Sequence, residues 1–292
     1  MRFSLKIRDT AYAESTSTLL RLVWRRGLIL STSAKKRPEW YDYPEYYDLG
    51  FQEDTPKEIE FLQKAFERFG SGPIRRIIEP ACGTGRLVFR LAELGYEAAG
   101  FDLNENALNF LRKRLAKKKL EAHVFQANMI DFTVDQLYDV ALNTFNTIRH
   151  LLTEEDALAH LKSVAQALRP GGLFFLGLHV MPPDADEHCI ERWRAKKGKT
   201  TVSYTLRVVD WQRRARLERL RVSMLIRKGE QPPLRVQTEM TLRSYTLPQL
   251  RKLLAKVPEF QLCESFDFWY EIDEPVKLSS DSSDTLLVLR RT

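Results

Sequence analysis

The chain has 292 residues, 43% hydrophobic and 29% charged, with a formal net charge of +7. A chain of this length buries about three quarters of its unfolded surface, enough for one sizeable α/β domain plus an insert without exotic stabilisation. Its three cysteines, Cys82, Cys189 and Cys263, have neither disulfide nor zinc spacing, which excludes a disulfide-built scaffold and fits a reducing compartment.

The positive charge is local. Residues 1–37 carry Arg2, Lys6, Arg8, Arg21, Arg25, Arg26, Lys35, Lys36 and Arg37 against Asp9 and Glu14, which is the whole surplus, so residues 38–292 balance. The apolar patch Leu19–Leu30 is interrupted by Arg21, Arg25 and Arg26, too short and too charged to span a bilayer. A transit-type peptide, a membrane-surface helix and translation from a start upstream of the natural one all fit residues 1–37, as does a flexible extension with no role in the folded body.

Residues 39–51, Glu-Trp-Tyr-Asp-Tyr-Pro-Glu-Tyr-Tyr-Asp-Leu-Gly-Phe, crowd aromatic rings and carboxylates to a density unusual in a linker. The spacing of Ile59, Leu62, Ala65, Phe66 and Phe69 predicts a helix from Pro56 to Phe69, closed by Gly70. Next comes Ile-Ile-Glu-Pro-Ala-Cys-Gly-Thr-Gly-Arg at 77–86, an apolar strand running into a glycine turn that opens a helix. Gly83 and Gly85 let backbone approach a ligand closely, and Leu87, Leu91 and Leu94 recur at helical spacing up to Gly95. The next strand, Tyr96 to Phe101, ends in Asp102, whose carboxylate stands beside the glycine turn if the strands pair in parallel. A dinucleotide fingerprint shares this geometry, but its third glycine would fall at Val88 and Glu79 would repel a pyrophosphate.

With Glu79, Asp102 and the later strands, this pattern resembles the class I S-adenosylmethionine (SAM)-dependent methyltransferases over residues 40–292, and most closely the small-molecule enzymes of the methyltransferase domain 25 type. The resemblance implies an α/β fold, a Rossmann-like seven-stranded, mostly parallel sheet with an antiparallel β insert late in the chain. It also implies SAM as methyl donor and S-adenosylhomocysteine (SAH) as product. An ammonium on Glu79 would contribute roughly 1.5–3 kcal/mol. Carried onto this sequence, the cofactor set is Tyr41, Glu79, Ala81, Cys82, Gly83, Gly85, Asp102, Leu103, Asn128, Met129 and Asn143. The family's aromatic segment closes over cofactor and acceptor, which makes Tyr41, Tyr46 and Tyr47 lid candidates, although such rings also serve as a hydrophobic anchor.

After Asp102 an amphipathic helix carries Ala107, Leu108, Leu111 and Leu115, and the strand His123 to Ala127 delivers Asn128, where the family reads the adenine amino group. The strand Asp139 to Leu142 delivers Asn143 and Phe145 to the crevice expected at the strand ends. His150 is either a base or a cap of the following helix, Glu154 to Leu168. Leu-Arg-Pro-Gly-Gly then enters the strand Leu173 to Leu178, with His179 at its end. Tyr47, His150 and His179 are the candidates for catalysis, Tyr46 and Phe145 for acceptor binding, and no metal is expected.

Residues 201–245 alternate with period two and predict three antiparallel strands, their polar face holding Arg207, Arg219, Arg221, Arg227, Arg235 and Arg243. The expected division is therefore an extension at 1–37, a core formed by 38–198 and 246–292, and an insert at 199–245. A helix from Thr246 and strands Glu259 to Phe266 and Thr285 to Leu289 complete the core. Arg192 to Lys228 is strongly basic, which an RNA methyltransferase would exploit, but exposed aromatics expected of a single-strand groove are not interleaved with it. The expectation is a cytoplasmic enzyme without a transmembrane segment, monomeric or homodimeric, moving a methyl group to nitrogen or oxygen of a small molecule. The alternatives are a nucleic-acid methyltransferase, a nicotinamide oxidoreductase and a non-catalytic SAM-binding or assembly protein.

Overall fold

A computed structural model describes residues 39–292, so the readings of residues 1–37 lie outside the described residues. The aromatic segment forms a 3-10 helix, Trp40–Asp42, followed by α1, Pro44–Phe51. α2, Thr55–Phe69, buries Ile59, Leu62, Ala65 and Phe66 as their spacing requires. Then β1 (Arg76–Pro80), α3 (Arg86–Glu93), β2 (Glu97–Asp102), α4 (Glu105–Lys118), β3 (His123–Gln126) and β4 (Tyr138–Asn143) alternate. A 3-10 helix, Thr147–His150, leads to α5 (Glu154–Ala167) and β5 (Leu168–His179).

The chain then leaves the core for β6 (Ile190–Lys197), β7 (Thr200–Gln212), β8 (Leu217–Lys228) and β9 (Leu234–Arg243), and returns through α6 (Leu247–Leu254), β10 (Phe260–Phe266) and β11 (Asp284–Arg291). The core sheet has seven strands in the order β10-β11-β5-β4-β1-β2-β3. β11 runs antiparallel to both β5 and β10, and the strands from β5 to β3 are parallel. β1 pairs β2 on one side and β4 on the other, so the order reverses beside β1 and opens a crevice at the carboxyl ends of those strands.

Adjacent residues feed opposite layers of the core. Ile78, Ala141 and Phe174 face the layer that contains Leu161 and Leu250, from α5 and α6. Ile77, Val140 and Phe175 face Leu62, Leu87 and Leu111, from α2, α3 and α4. Burial on both faces explains why these strands read as continuous apolar runs. The glycine absent at position 88 has a counterpart on the neighbouring strand: a Cβ on Gly100 would stand 2.7 Å from Val88 Cγ2 and 3.0 Å from Cys82 Sγ. Gly100 therefore lets α3 pack closely while Val88 remains.

The insert is a four-stranded antiparallel sheet in the order β6-β7-β8-β9, beginning at Ile190 rather than at 199 with three strands. Its apolar face, Val202, Tyr204, Val222, Met224, Ile226 and Val236, packs on Trp40 and the rings around it. Arg207, Arg219, Arg227 and Arg235 are exposed as expected. Arg243 is not: it is buried, and its Nη1 donates to the carbonyl of Leu152 at 2.7 Å. The strand ends near the core, where a long guanidinium side chain can reach a backbone carbonyl across the junction. No helix among the described residues is long and apolar enough to cross a membrane.

Candidate active site

The glycine turn takes its shape from three successive demands on the backbone. Ala81, Gly83 and Gly85 all have left-handed φ angles, +53°, +55° and +66°. The Cys82 N–H donates to the carbonyl of Phe101 at 2.9 Å, tying the turn to β2, and the Gly85 N–H donates to the carbonyl of Cys82 at 2.8 Å. A Cβ on Gly85 would meet Leu111 at 2.3 Å, so this glycine is a packing requirement beneath the turn. A Cβ on Gly83 would meet nothing within 4 Å, because Gly83 faces the crevice.

Asp102 sits where parallel pairing of β1 and β2 puts it. One carboxylate oxygen accepts from the Gly83 N–H at 2.8 Å and the other from the Asn104 N–H at 2.8 Å. Burial raises its pKa, against the lowering effect of those backbone donors. The side chain is thus held rigidly, with lone pairs left for hydroxyl donors. Glu79 lies behind the turn, its Oε2 buried without a hydrogen-bond partner among the described residues. Burial pushes its carboxyl up to about 8, with Glu58 adding to the rise and Arg86 opposing it.

In front of the turn lies a cavity of about 710 Å³. Its floor includes Ala81, Gly83, Thr84, Asp102, Leu103, Asn104, Asn128, Met129 and Ile130; its lid side is Trp40, Tyr41, Tyr47 and Phe51. Phe145, Arg149, His150, His179 and Asp284 line the ends of the core strands. The insert closes it with Glu191 and Trp193 from β6, Leu206 and Val208 from β7, Glu218 and Leu220 from β8, and Met240 and Leu242 from β9.

Eleven of the sixteen residues expected from sequence line this cavity: Tyr41, Tyr47, Ala81, Gly83, Asp102, Leu103, Asn128, Met129, Phe145, His150 and His179. Glu79, Cys82 and Gly85 instead stand under the turn, and burial raises the Cys82 thiol pKa well above its ordinary value. Asn143 is buried at the end of β4, with Nδ2 donating to the carbonyl of Pro80 at 3.4 Å, so it braces two strand ends rather than lining the cavity. Tyr46, expected at the acceptor, is turned away: its ring stacks on Tyr43, and its carbonyl accepts from the Tyr204 hydroxyl. Four residues per helical turn cannot all face one side, and Tyr47 holds the inward position.

The candidate bases differ. Burial raises the Tyr41 and Tyr47 phenols, so both stay protonated at neutral pH. His150 is exposed on the cavity side, and partial desolvation there, with Arg149 adding to it, lowers its imidazole pKa. Its Nε2 lies 3.4 Å from the Tyr41 hydroxyl, a long contact across the lid. His179 Nδ1 is 2.8 Å from Asp284 Oδ1, which orients the imidazole at the cavity wall.

Sequence reasoning missed the support of the Asn128 loop. His160 on α5 is fully buried with Nδ1 2.9 Å from the carbonyl of Met129, and Ser163 donates to the carbonyl of Ile130 at 3.0 Å. His160 and Ser163 share a helix face with Leu161 and Val164, and two polar residues on an apolar stripe were the available signal. Asp48 was missed too: it is buried and accepts from Thr84 Oγ1 at 2.9 Å and Arg114 Nη1 at 2.9 Å, joining α1 to the glycine turn and α4.

Residues 77–172 match the family model described as a methyltransferase domain. The putative methyltransferase YqeM of Bacillus subtilis is 30% identical over 140 residues, 44% of this chain and 56% of that protein. A dTDP-3-amino-3,4,6-trideoxy-α-D-glucopyranose N,N-dimethyltransferase of Streptomyces venezuelae is 31% identical over 97 residues, 33% of this chain and 39% of that one. The chain spans about half the length of the curated relatives it matches. Among solved structures, Streptomyces venezuelae DesVI superposes with a TM-score of 0.70 at 17% identity, covering 86% of this chain and 98% of its own. Residues 77–172 are therefore similar to a methyltransferase domain, and the Rossmann-like core with an added antiparallel sheet has the fold of solved methyltransferases.

Proposed function

We propose that the protein is a SAM-dependent methyltransferase that acts on a small molecule at nitrogen or oxygen. The observation that carries this reading is the junction of Gly83, open toward the cavity, with the rigidly held Asp102 and the unpartnered Glu79 Oε2. These groups fit SAM: Asp102 for the ribose hydroxyls, Glu79 for the ammonium, and Asn128 with Met129 beside the adenine. The third glycine of a dinucleotide fingerprint is replaced by Val88, which disfavours a nicotinamide dinucleotide.

Bound there, SAM would supply an electrophilic methyl group on a sulfonium. The chain's own part is alignment and exclusion of water, which Tyr41, Tyr47 and Trp40 serve from the lid and the insert sheet from the far side. The cavity is closed in by two sheets, and the exposed arginines of the insert are not among its lining residues, which supports a small acceptor over RNA. The amino-sugar N-methyltransferases among the relatives favour nitrogen.

Calorimetric titration with SAM, SAH and NAD tests the reading. Selective binding of SAM and SAH, followed by transfer of a labelled methyl group to a small acceptor, is expected. Binding of NAD alone would overturn it, and SAM binding without transfer to any acceptor class would point to a non-catalytic binding protein.

A further inference from the structure

Four carboxylates line the part of the cavity beneath the insert: Asp186, Glu191, Glu218 and Asp284. Three are committed. Asp186 accepts from the His188 N–H at 2.8 Å, Glu218 is paired with Arg149, and Asp284 is held by His179. Glu191 makes no hydrogen bond or ion pair among the described residues, although it projects from β6 into a cavity closed over by two sheets. Its strand register sets it opposite Leu206, another lining residue, so both side chains are on the cavity face of the insert.

Resting on the methyl-transfer reading above, we propose that the acceptor is an amine, and that Glu191 binds its ammonium form and takes up the proton that must leave before methylation. A half-buried carboxylate crowded by two others lacks a cation, and the guanidinium nearby is already engaged by Glu218. A hydroxyl acceptor would leave that charge uncompensated. An ammonium supplies the missing charge together with hydrogen-bond donors.

The environment also suits the proton transfer. Burial pushes Glu191 up to about 7, with Asp284 on β11 and Glu218 on β8 adding to the rise and Arg149 opposing it. Asp186 and Cys189, from the loop before β6, and His179 at the end of β5 also face this space. The acceptor nitrogen gives one proton to the Glu191 carboxylate: an N–H bond breaks and an O–H bond forms. The freed lone pair then forms the N–CH3 bond as the S–CH3 bond breaks, and the bonding electrons return to sulfur. Charge balances: ammonium, carboxylate and sulfonium become methylated ammonium, carboxylic acid and neutral thioether. An alkylammonium deprotonates near pH ~10, within reach of such a base, whereas an alcohol is far weaker as an acid.

The test uses the full chain saturated with SAH and titrated calorimetrically with two matched pairs, cyclohexylamine against cyclohexanol and benzylamine against benzyl alcohol. Each amine is expected to bind at least about tenfold more tightly than its alcohol, a preference that Glu191→Gln abolishes and Glu191→Asp partly keeps. Labelled methyl transfer to the amines is expected to rise with pH through about 7 in the wild type and to lose that rise in Glu191→Gln. An unchanged SAH affinity in both variants shows that the fold is intact. Equal binding of amine and alcohol, methylation of the alcohols, or an amine preference that survives Glu191→Gln would overturn the proposal. Failure of the wild type to bind SAH is seen in the same titration and would instead overturn the methyl-transfer reading on which it rests.

Discussion

At the scale of single residues, the two carboxylates at the glycine turn should behave differently. Asp102 is oriented by two backbone donors at 2.8 Å each, so it meets a ribose without rearrangement. Asp102→Ala removes a charge-assisted contact and frees the turn, and SAH affinity by calorimetry is expected to fall by roughly tenfold to a hundredfold. Glu79 is a titration problem. Its ordinary value is 4.5 and the folded one about 8, so in the folded chain it keeps its proton at pH 7 while the unfolded chain loses it. Stability from this group is complete below pH 4.5 and is lost as pH rises toward 8. Urea unfolding should therefore show Glu79→Gln gaining on the wild type across that window. SAM binding should run the other way, because an ammonium favours the carboxylate: wild-type affinity is expected to rise with pH through about 8, and Glu79→Gln to lose the rise. The position of Asp102 was legible in sequence because a parallel strand pair fixes where it points, whereas Glu79, expected to face the ligand, stands under the turn. Glu191, Asp48 and His160 were not legible, since the groups that surround them lie on elements far away in the chain.

At the scale of elements, the lid depends on one close approach. A Cβ on Gly50 in α1 would stand 2.6 Å from Tyr204 Cζ. Tyr204 cannot yield easily: it is buried, its hydroxyl donates to the carbonyl of Tyr46, and its ring stacks on Trp193 with centroids 4.9 Å apart. Gly50→Ala should push α1 off β7, destabilising the protein by about 1–3 kcal/mol in urea unfolding. It should also weaken SAH binding, because Asp48, two residues earlier, holds the lid to Thr84. A stability loss with SAH affinity unchanged would show that the lid does not reach the cofactor. The α/β elements were legible because their apolar periods are unambiguous. β6 was not: on Ile190–Lys197 the face shared by Glu191, Trp193 and Ala195 carries a carboxylate, and the other face is Arg192, Arg194 and Lys196. A strand that lines a polar cavity loses the apolar alternation by which strands are read.

For the molecule as a whole, the question is what fixes the insert sheet over the core, since nothing in its own alternation says which surface it covers. The junction is held by guanidinium groups. Arg149 Nε donates to the carbonyl of Arg243 at 3.0 Å while its Nη2 pairs with Glu218, and Arg216 Nη1 donates to Glu154 Oε2 at 2.8 Å. The Arg149–Glu218 pair matters most because both side chains are almost wholly buried, at 3% and 8% exposure. Removing one partner leaves the other charge in a low-dielectric seam, and Glu218→Ala is expected to cost about 3–5 kcal/mol. The pair itself is worth less, since each ion surrendered its hydration to form it. The double variant Arg149→Met with Glu218→Leu should therefore recover most of the stability lost by Glu218→Ala, as read by urea unfolding of the full cycle. Its recovery should not extend to function. Arg149 and Glu218 both line the cavity and flank Glu191, so the repacked protein is expected to keep SAH binding while its selection between amine and alcohol changes. Stability restored with acceptor selection intact would mean that the pair only fastens the sheets together, whereas stability restored with selection altered would show that the seam between the two sheets also sets the charge of the acceptor site.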